Sequence, residues 1–306
     1  MIDDSNGERG RKAAVSMADV NAGLPPAPET DRAFPPEGAT LTEIAALPEV
    51  AALKVSFRKT SLIDYPGRIA SVVFFPGCDF RCPWCHNREL ILGNAEGLSD
   101  LGECLSAIKK RSHLIQGVVL TGGEPLLRDK LGDVIRYIHT LGLPVKLDTN
   151  GSFPKELAIL NGDAATRPDY VAVDIKTRPE RYAEIAPDFR LSAIGDDRET
   201  RRPAGPPVPS QSIADLFFAV ADTLTALIRS NQEFEVRSVV APGFFDEETV
   251  SALADFVPET TPWYFTAFAP GNCLDPEWNE VPPTADSLLD GCVRRAKELG
   301  KWAIKR

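Results

Sequence analysis

The chain has 306 residues, of which 43% are hydrophobic and 25% charged, and its formal net charge is −10. That composition is ordinary for a globular protein, and the acidic surplus argues against a broad grip on nucleic acid or on an anionic membrane, both of which need basic patches. No apolar run reaches the ~20 residues of a membrane span and no apolar signal core follows the N-terminus, so a cytoplasmic location is expected, with no membrane or nucleic-acid partner.

Residues 1–53 read as a flexible, mostly disordered leader. The stretch Asn21–Thr40 is rich in Pro and small polar residues and has no sustained period, although Thr40–Leu53 could form a short helix. From about residue 54 the pattern changes. Six apolar, β-branched runs follow in order: Ile69–Phe75, Gly117–Leu120, Val145–Asp148, Tyr170–Ile175, Phe234–Val240 and Trp263–Phe268. Helix candidates lie between and after them, near 98–111, 130–141, 154–161, 211–230, 246–256 and 284–300. Strands alternating with helices imply parallel β-α units, and six such units over 54–306 fit an incomplete barrel or a doubly wound sheet. The polar, Pro-rich segment at 188–212 is too long for an ordinary connection and reads as an inserted loop, either a passive surface or a partner contact.

Directly after the first run comes FFPGCDFRCPWCHN (Phe74–Asn87), with Cys78, Cys82 and Cys85 spaced Cys-x3-Cys-x2-Cys. Six cysteines are too few for a disulfide scaffold in a chain of this length, and three within eight residues suggest a metal site. Thiolates from one short loop can bind three corners of an iron–sulfur cubane, leaving the fourth iron open to a substrate. Zinc is a competing reading, but it favours two ligand pairs and only His86 stands nearby as a fourth donor. An electron-transfer cluster would need Cys104, Cys273 or Cys292 as a fourth ligand, and those three also fit ordinary packing.

Further candidates close the later strands. In TGGEP (Thr121–Pro125), Gly122 and Gly123 allow close backbone approach or a tight turn, and Glu124 can accept hydrogen bonds. Asp148, at the end of the third run, and Asp174, at the end of the fourth, would repel across one cavity unless a cation or ammonium sits between them; each could instead cap a turn. Lys176 can offset negative charge. Arg237 alternates with Val236 and Ser238 along its strand, so it faces the other way and needs a partner, either a cofactor carboxylate or Glu235. His113 and His139 fall on helices and read as surface residues. The cysteines, Gly122–Glu124, Asp148 and Asp174–Lys176 all follow C-terminal strand ends, which share one face of a parallel sheet.

The cysteine motif, with Trp84 just before its last member, resembles the signature of radical S-adenosylmethionine enzymes. The segment Phe57–Asn87 is similar to anaerobic ribonucleoside-triphosphate reductase activating proteins and to pyruvate formate-lyase activating enzyme, and the likeness runs through most of 56–280. The resemblance implies a partial (β/α)6 TIM-type barrel and a [4Fe–4S] cluster on Cys78, Cys82 and Cys85. It further implies S-adenosylmethionine contacted by Trp84, Gly122, Gly123, Glu124, Asp148, Thr149, Asn150, Asp174, Lys176 and Arg237, and a monovalent cation near Asp148 and Asp174. The implied reaction is reductive cleavage to methionine and a 5′-deoxyadenosyl radical, which takes hydrogen from a glycyl-radical enzyme. That enzyme is expected to be an anaerobic ribonucleotide reductase, with a flavodoxin or ferredoxin as reductant. FAPGNCLDP (Phe268–Pro276) also resembles the reductase activators, whereas Thr266 and Ala267 depart from that group and no His follows the sixth run. A radical enzyme acting on a small molecule, nucleoside or peptide, and a non-catalytic iron–sulfur protein, are the alternatives.

Overall fold

The computed structural model describes residues 48–186 and 212–306. The expected leader and the expected loop at 188–212 therefore fall almost wholly outside the described residues. The last part of the leader segment is folded: helix α1 (Pro48–Ala51) buries Val50, and the Leu53 carbonyl accepts from the Leu101 amide at 2.8 Å. The folded domain thus starts by Pro48.

Nine strands form one open sheet in the order β3-β1-β2-β4-β5-β6-β7-β8-β9. β1 (Lys54–Tyr65) and β2 (Arg68–Phe75) make an antiparallel hairpin, and β3 (Ser99–Asp100) pairs antiparallel with β1. From β2 onward every pairing is parallel, through β4 (Gly117–Gly122), β5 (Val145–Thr149), β6 (Tyr170–Asp174), β7 (Phe234–Val240), β8 (Trp263–Ala267) and β9 (Ala303–Lys305). Each of the six apolar runs of the sequence is one of these parallel strands. The six expected helices are present as α3 (Leu101–Lys110), α4 (Leu131–Thr140), α5 (Pro154–Asn161), α7 (Ser212–Arg229), α8 (Glu247–Leu253) and α9 (Asp286–Glu298), with the short α2 (Arg88–Leu92) and α6 (Tyr182–Ile185) added. The result is an open, mostly parallel sheet, the partial barrel that the resemblance implies and one of the two architectures that the alternation fits.

The two faces of the sheet differ in chemistry. Strand alternation sends Val118, Leu120, Val145, Leu147, Val171, Val173, Val236 and Phe265 into the main core with the helices. Helices cover that face, so the other face is the barrel interior. There the β1–β2 side is apolar, with Tyr65, Ala70, Val72, Val119 and Tyr170. Further across, β5, β6 and β7 carry Lys146, Asp148, Asp174, Glu235 and Arg237, with Asp174 and Arg237 direct partners in the ladder. Charge in a barrel interior is stable only when paired, and this group is paired throughout.

One expectation fails away from the site. His139 is buried at 7% exposure rather than on the surface: Nδ1 lies 2.9 Å from the Ala165 carbonyl and Nε2 2.9 Å from Asp169. Asp169 also accepts from the Val145 amide at 2.8 Å, so the pair ties α4 to the start of β5. His113 is exposed, in the turn after α3.

Candidate active site

The three cysteines lie on the loop between β2 and α2. Gly77 turns that loop with φ +80°, and the Glu124 amide donates to the Gly77 carbonyl at 2.8 Å. The Arg128 guanidinium caps the Pro76 carbonyl, and Asn87 Nδ2 donates to the Gly122 carbonyl at 2.7 Å. Gly122 and Gly123 are what permit this docking. A Cβ on Gly123 would lie 1.7 Å from the Gly77 oxygen, and one on Gly122, at φ +121°, would lie 2.4 Å from Phe75 backbone atoms. Gly123 is thus needed for close approach to the cysteine loop, and Gly122 for close approach to the end of β2.

The environment of the thiols suits thiolates bound to metal. Burial pushes all three up, Cys82 to about 12, while Lys176 pulls Cys82 and Cys85 the other way. The Phe80 amide donates to Cys78 Sγ at 3.4 Å, and the Asn87 amide is directed at Cys85. Buried thiols supplied with a cation and N–H donors favour the anionic form once a metal displaces the protons. Among the described residues no three His, Cys, Asp or Glu side chains gather closely enough to share one ion. In a cubane each thiolate binds a separate iron, so the three need not share one ion. The donor set therefore fits an iron–sulfur cluster.

Trp84 is 5% exposed and packs at a tilt against Phe244 and Trp278, at centroid distances of 4.8 and 5.4 Å. It contributes an apolar wall to the loop. The segment after β8, for which the sequence leaves the contacts open, clamps the same loop from the other side. The Asp275 amide donates to the Pro83 carbonyl at 3.1 Å, His86 Nε2 donates to the Ala269 carbonyl at 2.8 Å, and Asn272 bonds Glu89 at 2.9 Å. These bonds bring the buried Cys273 near Cys85. No signal in the sequence separated Cys273 from Cys104 and Cys292.

The residues at the next strand ends divide into two groups. Glu124, Thr149 and Asn150 are spent on the scaffold. Glu124 is fully buried and accepts from the Leu126 amide (3.0 Å), Thr149 Oγ1 (3.0 Å) and the Asn150 amide (2.7 Å). Burial, then Asp79, push its carboxyl up to about 8. Asn150 Nδ2 reaches Asp79 at 2.7 Å, beside Cys78. These side chains tie the β4 and β5 ends to the cysteine loop.

Asp174, Lys176 and Arg237 form the open rim, with side chains 27%, 20% and 21% exposed. Arg237 Nε bonds Asp174 Oδ1 at 2.8 Å and Nη1 bonds Asp148 Oδ2 at 3.3 Å, while Lys176 holds Asp174 Oδ2 at 3.0 Å. Glu235, one of the two partners the sequence offers for Arg237, lies deeper and meets Lys146 and Arg306 instead, at 3.8 and 3.6 Å. The place expected for a monovalent cation is taken by a guanidinium. Asp174 is held well below the usual carboxylate range, and Asp148 is also lowered: burial acts upward on both, and Arg237 with Lys176 or Lys146 overrides it. Lys146, which the sequence reading passed over, is buried at 1% exposure and donates to Asp148 Oδ1 at 2.7 Å and to the Asp64 carbonyl at 2.8 Å.

The parallel partial barrel thus carries a three-thiol loop and a charged rim at one end of its strands, a donor set that fits an iron–sulfur cluster. The sequence pattern of the radical SAM superfamily matches residues 72–194. Relatives extend the match: a Methanocaldococcus jannaschii protein, provisionally named a glycyl-radical enzyme activating enzyme, is 30% identical over 247 residues, 80% of this chain and 89% of that one. The chain belongs to the radical SAM superfamily and is related to its activating enzymes. The pyruvate formate-lyase-activating enzyme of Clostridium pasteurianum is 34% identical over 107 residues, 31% of this chain and 42% of its own length. The 7-carboxy-7-deazaguanine synthase of Hyperthermus butylicus is 36% identical over 94 residues, 29% of this chain and 38% of that one.

Proposed function

We propose that this radical SAM enzyme is cytoplasmic, installs a glycyl radical on an anaerobic ribonucleoside-triphosphate reductase and draws its electrons from a flavodoxin or ferredoxin. The observation that carries the reading is the match to an activating-enzyme relative over 89% of that relative's length. The reductase as target rests on the likeness of Phe57–Asn87 to the reductase activators.

In this reading Cys78, Cys82 and Cys85 hold three irons of a [4Fe–4S] cluster. When bound, the cluster would supply the one electron needed to split S-adenosylmethionine at S–C5′ into methionine and a 5′-deoxyadenosyl radical, the species that would take a hydrogen atom from the partner's glycine to leave 5′-deoxyadenosine. Lys176 and Arg237 would be the cations that orient the cofactor's carboxylate. Trp84, Phe244 and Trp278 exclude water from the cysteine loop. Glu124, Thr149 and Asn150 fix the strand ends on which the ligands stand. The match to 7-carboxy-7-deazaguanine synthase over 94 residues supports a second reading, a radical enzyme whose target is a small molecule.

The reading is tested by mixing the anaerobically reconstituted protein with S-adenosylmethionine, a reductant and an anaerobic ribonucleotide reductase, and recording the electron paramagnetic resonance spectrum. A doublet glycyl signal that requires S-adenosylmethionine is expected. 5′-Deoxyadenosine formed without any glycyl signal would turn the assignment to the small-molecule reading.

A further inference from the structure

Asp148 and Asp174 stand on neighbouring strands with oxygens turned toward one guanidinium. A buried and a half-buried carboxylate this close need a cation between them, and the barrel supplies one covalently. We propose that Arg237 is the built-in counter-ion of this pair, so that the chain binds S-adenosylmethionine without an added monovalent metal cation, and that Lys146 is the positioning residue that holds Asp148 against it. The proposal rests on the assignment of the rim to S-adenosylmethionine.

The geometry leaves little for a metal ion to take. Both oxygens of Asp174 are engaged, Oδ1 by Arg237 at 2.8 Å and Oδ2 by Lys176 at 3.0 Å. Both oxygens of Asp148 are engaged, Oδ1 by Lys146 at 2.7 Å and Oδ2 by Arg237 at 3.3 Å. A hard cation would need those oxygens and would meet the guanidinium in the same place. Arg237 is also anchored: Val236 and Ser238 on either side are buried on the opposite face, and its Cα is the ladder partner of Asp174. Lys146 is set from three sides by Asp148, the Asp64 carbonyl and, at 3.8 Å, Glu235.

The charge count points the same way. In the barrel interior four cations, Lys146, Lys176, Arg237 and Arg306, meet three carboxylates, Asp148, Asp174 and Glu235. These side chains by themselves carry one net positive charge. A bound metal cation would raise the surplus to two, in a setting where unpaired charge is costly.

The test is equilibrium binding of S-adenosylmethionine to the reconstituted holoenzyme under anaerobic conditions. It compares sodium, potassium and tetramethylammonium chloride at one ionic strength, the last cation being too large for a site between two carboxylates. The dissociation constant should agree among the three salts within about twofold, since screening is held constant. In Arg237→Gln, binding should weaken about tenfold or more in tetramethylammonium and recover in part with sodium or potassium. Lys146→Met should weaken binding at unchanged iron content, with Lys146→Arg restoring it. A wild-type protein that loses affinity tenfold in tetramethylammonium would overturn the proposal, and that comparison decides it even if the variants do not fold. Absence of binding in every salt would instead remove the cofactor assignment on which the proposal rests.

Discussion

At the scale of single residues, the site is built by pairing charges and by sparing methyl groups. Asp148 and Asp174 have folded values below the ordinary 3.8 because the cations around them outweigh burial. Groups lowered in this way contribute stability that is fully present above their unfolded value and is lost as pH falls through the folded one. Acid unfolding monitored by circular dichroism should therefore show a loss of stability that begins near pH 4 and continues below it. In Arg237→Gln this contribution should be much reduced above pH 4, so the gap between the two proteins should close on acidification. Gly123 illustrates the second device. A Cβ 1.7 Å from the Gly77 oxygen cannot be accommodated by a side-chain rotation. Gly123→Ala should cost about 1–3 kcal/mol, as overpacking does, and should lower iron incorporation by pushing the cysteine loop off its support. A variant that loads iron like the wild type would refute that role for the glycine pair.

At the scale of elements, much was legible because the signals are local. The six parallel strands are short apolar runs rich in β-branched residues, and the six helices between and after them show the expected period. What was not legible depends on tertiary contact. β1 has an irregular burial pattern and a ladder with register shifts, so it lacks the alternation that marks a strand, and β3 and β9 have only two and three residues. The strand ends could be placed on one face, but pairing across it could not be read: Arg237 and Asp148 are 89 residues apart. For the same reason Lys146 passed as part of an apolar run, and His139 as a surface residue. The segment after β8 is another long-range element. Trp278 reaches back to Trp84, Phe244 and Phe268 at 5.4, 5.7 and 5.4 Å. Trp278→Ala should cost about 3 kcal/mol and open the cysteine loop to solvent. The bleaching of the reconstituted protein's visible absorption in air should then accelerate, and an unchanged rate would show that the clamp does not shield the loop.

At the scale of the whole molecule, a parallel sheet gathers residues from distant parts of the chain at its C-terminal edge. The cysteine loop after β2, the glycine turn after β4 and the charged ends of β5, β6 and β7 meet there, while the helices bury the opposite face. Among the described residues no helix is long and apolar enough to cross a membrane. In the proposed function this edge would bind a cluster through the three thiolates and use it on S-adenosylmethionine. The most direct measurement is product chromatography after anaerobic reconstitution, reduction with dithionite and addition of S-adenosylmethionine. The wild-type protein should give 5′-deoxyadenosine and methionine, and Cys82→Ala should lose both iron loading and products. A fully loaded protein that forms no 5′-deoxyadenosine would contradict it.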